Sequence, residues 1–484
     1  MQRATFIRLN QVVPRVPGRE FRLPFDFEMR EGECWAFYGP NGSGKTLLAE
    51  VLCGRYGCAR GEVEYPFLDQ LRGECGRYLY PRQFIQTVSF QSTYSLANFR
   101  ESYYQQRFQS QDLETSPTVE SLLGRSASPA EVEQVLDLME LQPLRQQRLA
   151  SLSSGQLRRM LIAGALLKHP KMLIFDNPFI GLDEESRRRL NRLMTHLMAA
   201  GVQLLVLTPV LRDIPPCTTH VLHLENCAPR YAGPVEGFVH VEPQADFAGL
   251  SFPEGTPQTT VGDYREVLRM DRIDIRYGQR LIQRQLSWTV GRGEKWALLG
   301  PNGSGKSTLL SYVFADNPQA YALPIWLFDK KRGSGESIWD IKRRIGYTSS
   351  EMHLYYLENI PCLSVLESGF FDTVGLFCKC TAAQTRLAQD WLDRVGLRHL
   401  ERQSFLKISS GEQRMLLFLR ALIKNPELLI LDEPFHGMDL SHKRLCQRLI
   451  GCFAAQIERS LIFVTHYPEE IPPSVNHRFE LSAL

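Results

Sequence analysis

Two eight-residue stretches have the composition to bind phosphate. Gly300-Pro301-Asn302-Gly303-Ser304-Gly305-Lys306-Ser307 and Gly39-Pro40-Asn41-Gly42-Ser43-Gly44-Lys45-Thr46 both follow G-x-x-x-x-G-K-[ST] and share the filler Pro-Asn-Gly-Ser. Glycines at these positions let successive backbone N–H groups curl around phosphate oxygens, and the helix expected next turns its positive end toward the anion. Lys306 is expected to reach the β- and γ-phosphates and Ser307 to hold Mg2+, with Thr308 beside them; Lys45 and Thr46 have the same places in the first copy. Two carboxylate-bearing stretches extend this chemistry. Leu428-Leu429-Ile430-Leu431 carries Asp432 to the end of a buried strand, where a carboxylate can join a Mg2+ shell, and Glu433 follows in position to polarise an attacking water. His466, at the end of Ile462-Phe463-Val464-Thr465, is in position to contact a γ-phosphate. The first half offers Asp176 after Met172-Leu173-Ile174-Phe175, but Asn177 stands where Glu433 stands and Pro209 where His466 stands. An amide cannot take a proton, and losing a general base costs about 10²–10⁴-fold in rate.

These residues need strands ending in loops and helices starting from them. Glu33 to Tyr38 and Glu294 to Leu299 read as buried strands entering the two phosphate loops. Leu47, Leu48, Val51 and Leu52 form the apolar face of the helix after Lys45. Thr5 to Leu9 and Phe21 to Phe27 read as earlier strands, and Val202 to Thr208 as another buried one. The serine-rich runs Ser151-Leu152-Ser153-Ser154-Gly155-Gln156 and Ile408-Ser409-Ser410-Gly411-Glu412-Gln413 each precede a helical stretch, then an acidic strand, then Gly181-Leu182-Asp183 or Gly437-Met438-Asp439. Lys45 pairs with Lys306, Ser154 with Ser410 and Asp176 with Asp432 at a near-constant offset, the mark of a tandem duplication. Alternating strands and helices with a phosphate loop after the first buried strand predict a parallel sheet with ligand at the carboxyl ends of its strands. Residues 1–224 and 263–484 are expected as the two modules. Residues 225–262, rich in proline and glycine, are expected as a linker or irregular connection.

Composition narrows the setting. The chain has 484 residues, 43% hydrophobic content and a formal net charge of +3, so nothing global calls for nucleic acid. No apolar run reaches a membrane span and the N-terminus lacks a signal-peptide core, so a membrane role would need another chain to supply the span. Eleven cysteines without framework spacing fit a reduced cytoplasm, and Cys378-Lys379-Cys380 reads as incidental thiols. Lys330-Lys331-Arg332 and Lys342-Arg343-Arg344 read as a solvated face rather than a phosphate contact.

A phosphate loop, a Ser-Ser-Gly-(Gln/Glu) run before an Asp-Glu strand, a Gly-x-Asp loop and a Thr-His end together resemble the ATP-binding-cassette ATPases, over nearly the whole chain twice. The resemblance implies an α/β fold of two tandem P-loop NTPase domains, each a mainly parallel sheet with an antiparallel β part and a helical insert. It implies two ATP–Mg2+ sites formed by head-to-tail pairing of the modules within one monomer, each phosphate loop capped by the other module's serine run. Ser153, Ser154 and Gly155 would cap ATP on Lys306; Ser409, Ser410 and Gly411 would cap ATP on Lys45. Tyr277 falls where the family stacks a ring on adenine, and Val16 falls there in the first half. Gln91 takes the place of the family's Mg2+-contacting glutamine, whereas Gly346-Tyr347-Thr348-Ser349-Ser350 contains none. The second site is therefore expected to hydrolyse ATP through Glu433 and His466, and the first to hold it.

The run Arg332-Gly333-Ser334-Gly335-Glu336-Ser337-Ile338-Trp339-Asp340-Ile341-Lys342 resembles a subfamily of soluble tandem cassettes associated with molybdate transport. That implies a membrane permease as partner and a place at the cytoplasmic face of a membrane. Two other readings stay open: a ribosome-associated mechanoenzyme, for which 225–262 is too poor in Lys and Arg to form a basic arm, and an ATP-binding regulator. The insert Phe99 to Phe108 is read either as the contact for any partner or as an amphipathic helix packing on its own module.

Overall fold

The computed structural model describes residues 3–15, 24–76, 78–89, 117–125, 127–149, 152, 154–239, 249–257, 262–277, 280–314, 317–350, 352, 356 and 358–482, leaving aside the side chains of Glu74, Cys75, Ser154, Tyr277 and Arg280. The described chain divides into two compact units, one ending at Pro243 and the other beginning at Gln244.

The first unit runs β1 (Thr5–Pro14), β2 (Phe25–Arg30), β3 (Cys34–Tyr38), α1 (Lys45–Leu52), β4 (Cys58–Glu64), α2 (Pro66–Cys75), α3 (Pro81–Phe84), β5 (Ile85–Ser89), α4 (Val119–Leu123), α5 (Pro129–Leu138), α6 (Ser154–Leu166), β6 (Met172–Asp176), α7 (Glu184–Ala199), β7 (Gln203–Thr208), β8 (His220–Glu225) and β9 (Ala228–Pro234). Its main sheet has the order β5-β6-β7-β3-β8-β9, parallel except for β9, and a separate antiparallel sheet has the order β2-β1-β4. The register sets Ser89 beside Asp176, Asp176 beside Leu207, and Tyr38 beside Thr208, so the strands end level at one edge. Both faces of this sheet are covered, which is why its strands are continuous apolar runs rather than alternating ones. On β6, Met172 and Ile174 join the core under α1 and the antiparallel sheet, while Leu173 and Phe175 join the core under α5, α6 and α7.

The second unit repeats the plan with β10 (Glu266–Tyr277), β11 (Arg280–Gly291), β12 (Lys295–Leu299), α8 (Lys306–Val313), β13 (Ile325–Leu327), β14 (Lys330–Lys331), α9 (Ile338–Arg344), β15 (Ile345–Ser349), α10 (Cys362–Glu367), α11 (Ala382–Arg394), α12 (Ser410–Leu422), β16 (Leu428–Asp432), α13 (Leu440–Ala454), β17 (Ser460–Val464) and β18 (His477–Glu480). Its parallel sheet has the order β15-β16-β17-β12-β18 and its antiparallel sheet β11-β10-β13-β14. Leu428 and Ile430 face one core and Leu429 and Leu431 the other, as on β6.

Two expectations differ from what forms. Described parts of 225–262 hold structure: β9 pairs antiparallel with β8, and residues 249–257 are fastened to the second unit. There the Phe252 ring stands edge-on to Trp391 at 5.0 Å, and Arg394 and Asn425 donate to the Ser251 and Pro257 carbonyls. The proline and glycine content signalled breaks in helix, not absence of packing. The basic runs near 330 and 342 are also not one solvated face. Lys330, Lys331 and Arg343 are exposed, but Arg332 is buried against Glu336 and Lys342 is buried under Phe314. Arg344 pairs with Glu427 over the Phe328 ring. Long basic side chains here cover apolar rings with their stems and find single acidic partners.

Candidate functional site

Both phosphate loops are built alike. Gly39, Gly42 and Gly44 have φ of 150°, 79° and 94°, and Gly300, Gly303 and Gly305 have 145°, 81° and 95°. Side chains are excluded at the first of each set, because a Cβ on Gly39 would lie 2.1 Å from the Leu224 carbonyl oxygen and one on Gly300 2.5 Å from that of Leu481. Gly44 and Gly305 cap α1 and α8 in the left-handed conformation, so each lysine starts a helix. Lys45 Nζ donates to the carbonyls of Gly39 and Pro40 at 2.7 and 2.8 Å, and Lys306 Nζ to those of Gly300 and Pro301 at 2.8 Å each. Each ammonium is thus held across its own loop, with the open side of Gly303 free of neighbours within 4 Å. Asn302 and Ser304 complete the second cradle; Ser304 is fully buried. Ser307 and Thr46 are exposed in the first helical turns.

In the first unit Thr46 Oγ1 donates to Asp176 Oδ2 at 3.3 Å, bringing together the two groups expected to hold a metal. Burial pushes the Asp176 carboxyl above its usual range, against the opposing pull of Lys45, Thr46 and Asn177. A buried carboxylate with a hydroxyl beside it is a hard-oxygen donor set whose charge a divalent cation would relieve, and it fits Mg2+. Asn177 Nδ2 donates to Asp176 Oδ1 at 2.9 Å. In the second unit Asp432 ends β16, buried, with its backbone carbonyl taken by Ser350 N–H.

Glu433 and Asn177 share one backbone. Each has a left-handed φ, 50° and 51°, and each donates its N–H to the neighbouring strand, at Val464 and Leu207, over 2.9 Å. What differs is the side chain and its surroundings. Glu433 Oε1 lies 2.5 Å from His466 Nε2, and Oε2 lies 2.6 Å from His436 Nδ1. Burial raises the Glu433 carboxyl, but the two imidazoles outweigh it and hold the group well below the usual carboxylate range. His466 Nδ1 in turn contacts the Gly300 carbonyl at 2.9 Å, joining the end of β17 to the phosphate loop. Neither imidazole has a counterpart at Asn177, where the equivalent positions are Ile180 and Pro209.

The serine runs start helices. Ser409 caps α12 through a reciprocal pair with Glu412, its N–H donating to Glu412 Oε2 at 2.7 Å and its hydroxyl accepting from Glu412 N–H. Ser410 and a buried Gly411 form the first turn, as Ser154 and Gly155 do in α6. Asp183 and Asp439 cap α7 and α13, accepting from Ser186 and His442 N–H at 2.8 and 2.9 Å. Tyr277 ends β10 opposite Arg280. Thr308 lies in the first turn of α8, half-buried. Gln91, Val16, Ser153 and the 99–108 insert lie outside the described residues.

Two contacts were missed in the sequence. Gln283 on β11 donates to the Ser304 carbonyl at 3.0 Å beneath the phosphate loop, and no spacing rule ties β11 to that loop. His436 was passed over immediately before the Gly-x-Asp run; its signal was the Glu433-to-His436 spacing of three, a one-turn separation.

Comparison with known proteins agrees with this geometry. Residues 24–180 and 283–436 match the family described as ABC transporter. The chain is 34% identical to the ABC transporter ATP-binding protein ModF of Escherichia coli over 96% of its own length and 94% of that protein. It is 32% identical to an uncharacterised ABC transporter ATP-binding protein of Schizosaccharomyces pombe, over 93% of each. Among solved structures, the RNase-L inhibitor superposes with a TM-score of 0.55 at 18% identity, covering 97% of this chain and 88% of that one, which is a likeness of fold. Among the described residues, no helix is long and apolar enough to cross a membrane.

Proposed function

The chain belongs to the ABC transporter family and is a tandem ATP-binding-cassette ATPase, and from that premise we propose that it binds two ATP molecules and turns over chiefly the one on Lys306. The observation carrying the reading is the Glu433 carboxylate, ionised by its two imidazole neighbours and set at the end of β16 beside the phosphate loop, against Asn177 on the same backbone in the first unit. Glu433 acts as general base toward the attacking water, and its low proton affinity keeps it charged at neutral pH. His466 stands between that carboxylate and the Gly300 carbonyl and is in place to sense the γ-phosphate. Lys306 and the loop N–H groups bind the phosphate chain; Lys45 does so at the first site. Mg2+ would be held by Ser307 and Asp432, and by Thr46 and Asp176 with Gln91, and supplies charge neutralisation on the transferring phosphate. Head-to-tail pairing, in which Ser153, Ser154 and Gly155 complete the Lys306 site and Ser409, Ser410 and Gly411 the Lys45 site, rests on the family resemblance, as does Tyr277 as the adenine platform.

The same resemblance, together with the 34% identity to a protein named as an ABC transporter ATP-binding protein, supports a role in energising or regulating a molybdate-related transport step with a membrane permease at the cytoplasmic face. The decisive enzymatic test is Glu433→Gln in the full chain: turnover should fall by about 10²–10⁴-fold while ATP binding survives. Retention of half the rate would overturn the assignment of the base. For the partner, crosslinking in native membranes should recover a permease; recovery of ribosomes instead would replace the transport reading with that of a translation-associated mechanoenzyme.

A further inference from the structure

We infer that His436 is a positioning residue for ATP hydrolysis, fixing the plane of the Glu433 carboxylate by holding the oxygen that His466 does not. The inference rests on the proposed role of Glu433 as base. A carboxylate gripped at one oxygen still rotates about its Cγ–Cδ bond, so the lone pair it turns toward a water is not set. Close charge contacts on different oxygens restrict that freedom. Here Oε1 lies 2.5 Å from His466 Nε2 and Oε2 lies 2.6 Å from His436 Nδ1, the latter a charge contact outside hydrogen-bond angles. Misplacing a catalytic group by about an ångström costs on the order of 10²-fold, so fixing this rotation has a kinetic consequence.

His436 is itself held at both ends. Its N–H donates to the Glu433 carbonyl at 3.2 Å, closing the turn that folds the ring back onto the carboxylate. Its own carbonyl accepts from Arg414 Nη1 at 2.5 Å, a buried guanidinium on α12. The side chain is only 10% exposed. The left-handed φ of 50° at Glu433 directs the chain so that the third residue onward returns to the side chain of the first.

The first unit separates this role from simple packing. It forms the same turn, with Ile180 N–H donating to the Asn177 carbonyl at 3.4 Å and a buried arginine, Arg158, donating to the neighbouring Pro178 carbonyl. Isoleucine closes that turn, so the fold does not need an imidazole there. The base and both of its imidazole partners are present together in the second unit. All three positions differ in the first, as Asn177, Ile180 and Pro209.

The test is steady-state ATPase of the full chain with His436→Ala, His436→Asn and Glu433→Gln side by side, each checked by thermal melting. His436→Ala should lower kcat about ten- to a hundredfold with KM for ATP changed by about twofold or less. His436→Asn, whose Nδ2 can take the place of Nδ1, should recover most of the lost kcat. An alanine variant that keeps or raises kcat, or an asparagine variant no better than alanine at equal melting temperature, overturns the inference. If Glu433→Gln itself keeps its rate, the underlying assignment of the base fails. If it is inactive while His436→Ala is unimpaired, positioning by His436 fails alone.

Discussion

At the scale of single residues, the two units differ where proton transfer would occur and agree where phosphate would bind. Lys45 and Lys306 make the same pair of carbonyl contacts, and Asn177 and Glu433 have the same φ and the same backbone hydrogen bond. A carboxylate placed at Asn177 would therefore start from the right backbone but lack its imidazole partners. We expect Asn177→Glu alone to raise total turnover by less than about twofold, and Asn177→Glu combined with Ile180→His and Pro209→His to raise it further. Single-turnover assays in a Glu433→Gln background read the first site by itself; a triple variant no faster than the single one would locate the defect elsewhere. The positions of Lys306, Asp432, Glu433 and His466 at a helix start and at strand ends were legible from residue type and order, since each proposed chemistry demands a particular group there. His436 was not. It lies in a run whose pattern speaks of a turn and a helix cap, and only the left-handed backbone at Glu433 brings it back to the carboxylate.

At the scale of elements, level strand ends make the site. β16 and β17 finish together, Asp432 beside Val464, so residues 32 positions apart in sequence converge at one edge, where β12 delivers the phosphate loop. The sequence showed the strands as apolar runs, because burial on both faces leaves no room for alternation. It did not show how the ends of the helices are tied. Lys424, just after α12, is one such tie: its amino group donates to the Lys342 carbonyl of α9 at 2.6 Å and pairs with Asp372. Burial dominates its titration, outweighing Asp372, and lowers its pKa to about 8 from 10.5. The unfolded chain then binds more protons than the folded one between those values, so stability rises with pH from about 8 to about 10.5, and the buried charge is fully unfavourable below 8. Melting temperature across pH 7.5 to 10 should climb relative to Lys424→Met, whose profile lacks that increment. Parallel profiles would show that Lys424 stays equally charged in both states.

At the scale of the whole chain, duplication gives two cassette units of one plan that differ in sequence at Asn177 and Glu433. Equilibrium binding to the Glu433→Gln chain should give about two ATP per molecule, with Lys45→Ala and Lys306→Ala each removing one. Turnover in the wild-type background should be lost with Lys306→Ala and largely kept at saturating ATP with Lys45→Ala. Equal loss from both would show that the two sites share the chemistry. By itself the sequence determined that there are two cassettes, and it supports the proposals about which loops bind phosphate and which half lacks its base. Those follow from residue chemistry at fixed spacing, which is local and survives any packing. Tertiary structure alone decided the rest. Within 225–262, residues 228–234 became a strand through a tight hairpin with β8, and residues 249–257 packed because Phe252, Ser251 and Pro257 found Trp391, Arg394 and Asn425 far away in sequence. The basic runs near 330 and 342 parted into exposed and buried members because aromatic rings and single carboxylates lay beneath some of them. Glu433 acquired two imidazoles on two oxygens because one turn and one strand end meet there, and no periodicity along the chain encodes that meeting.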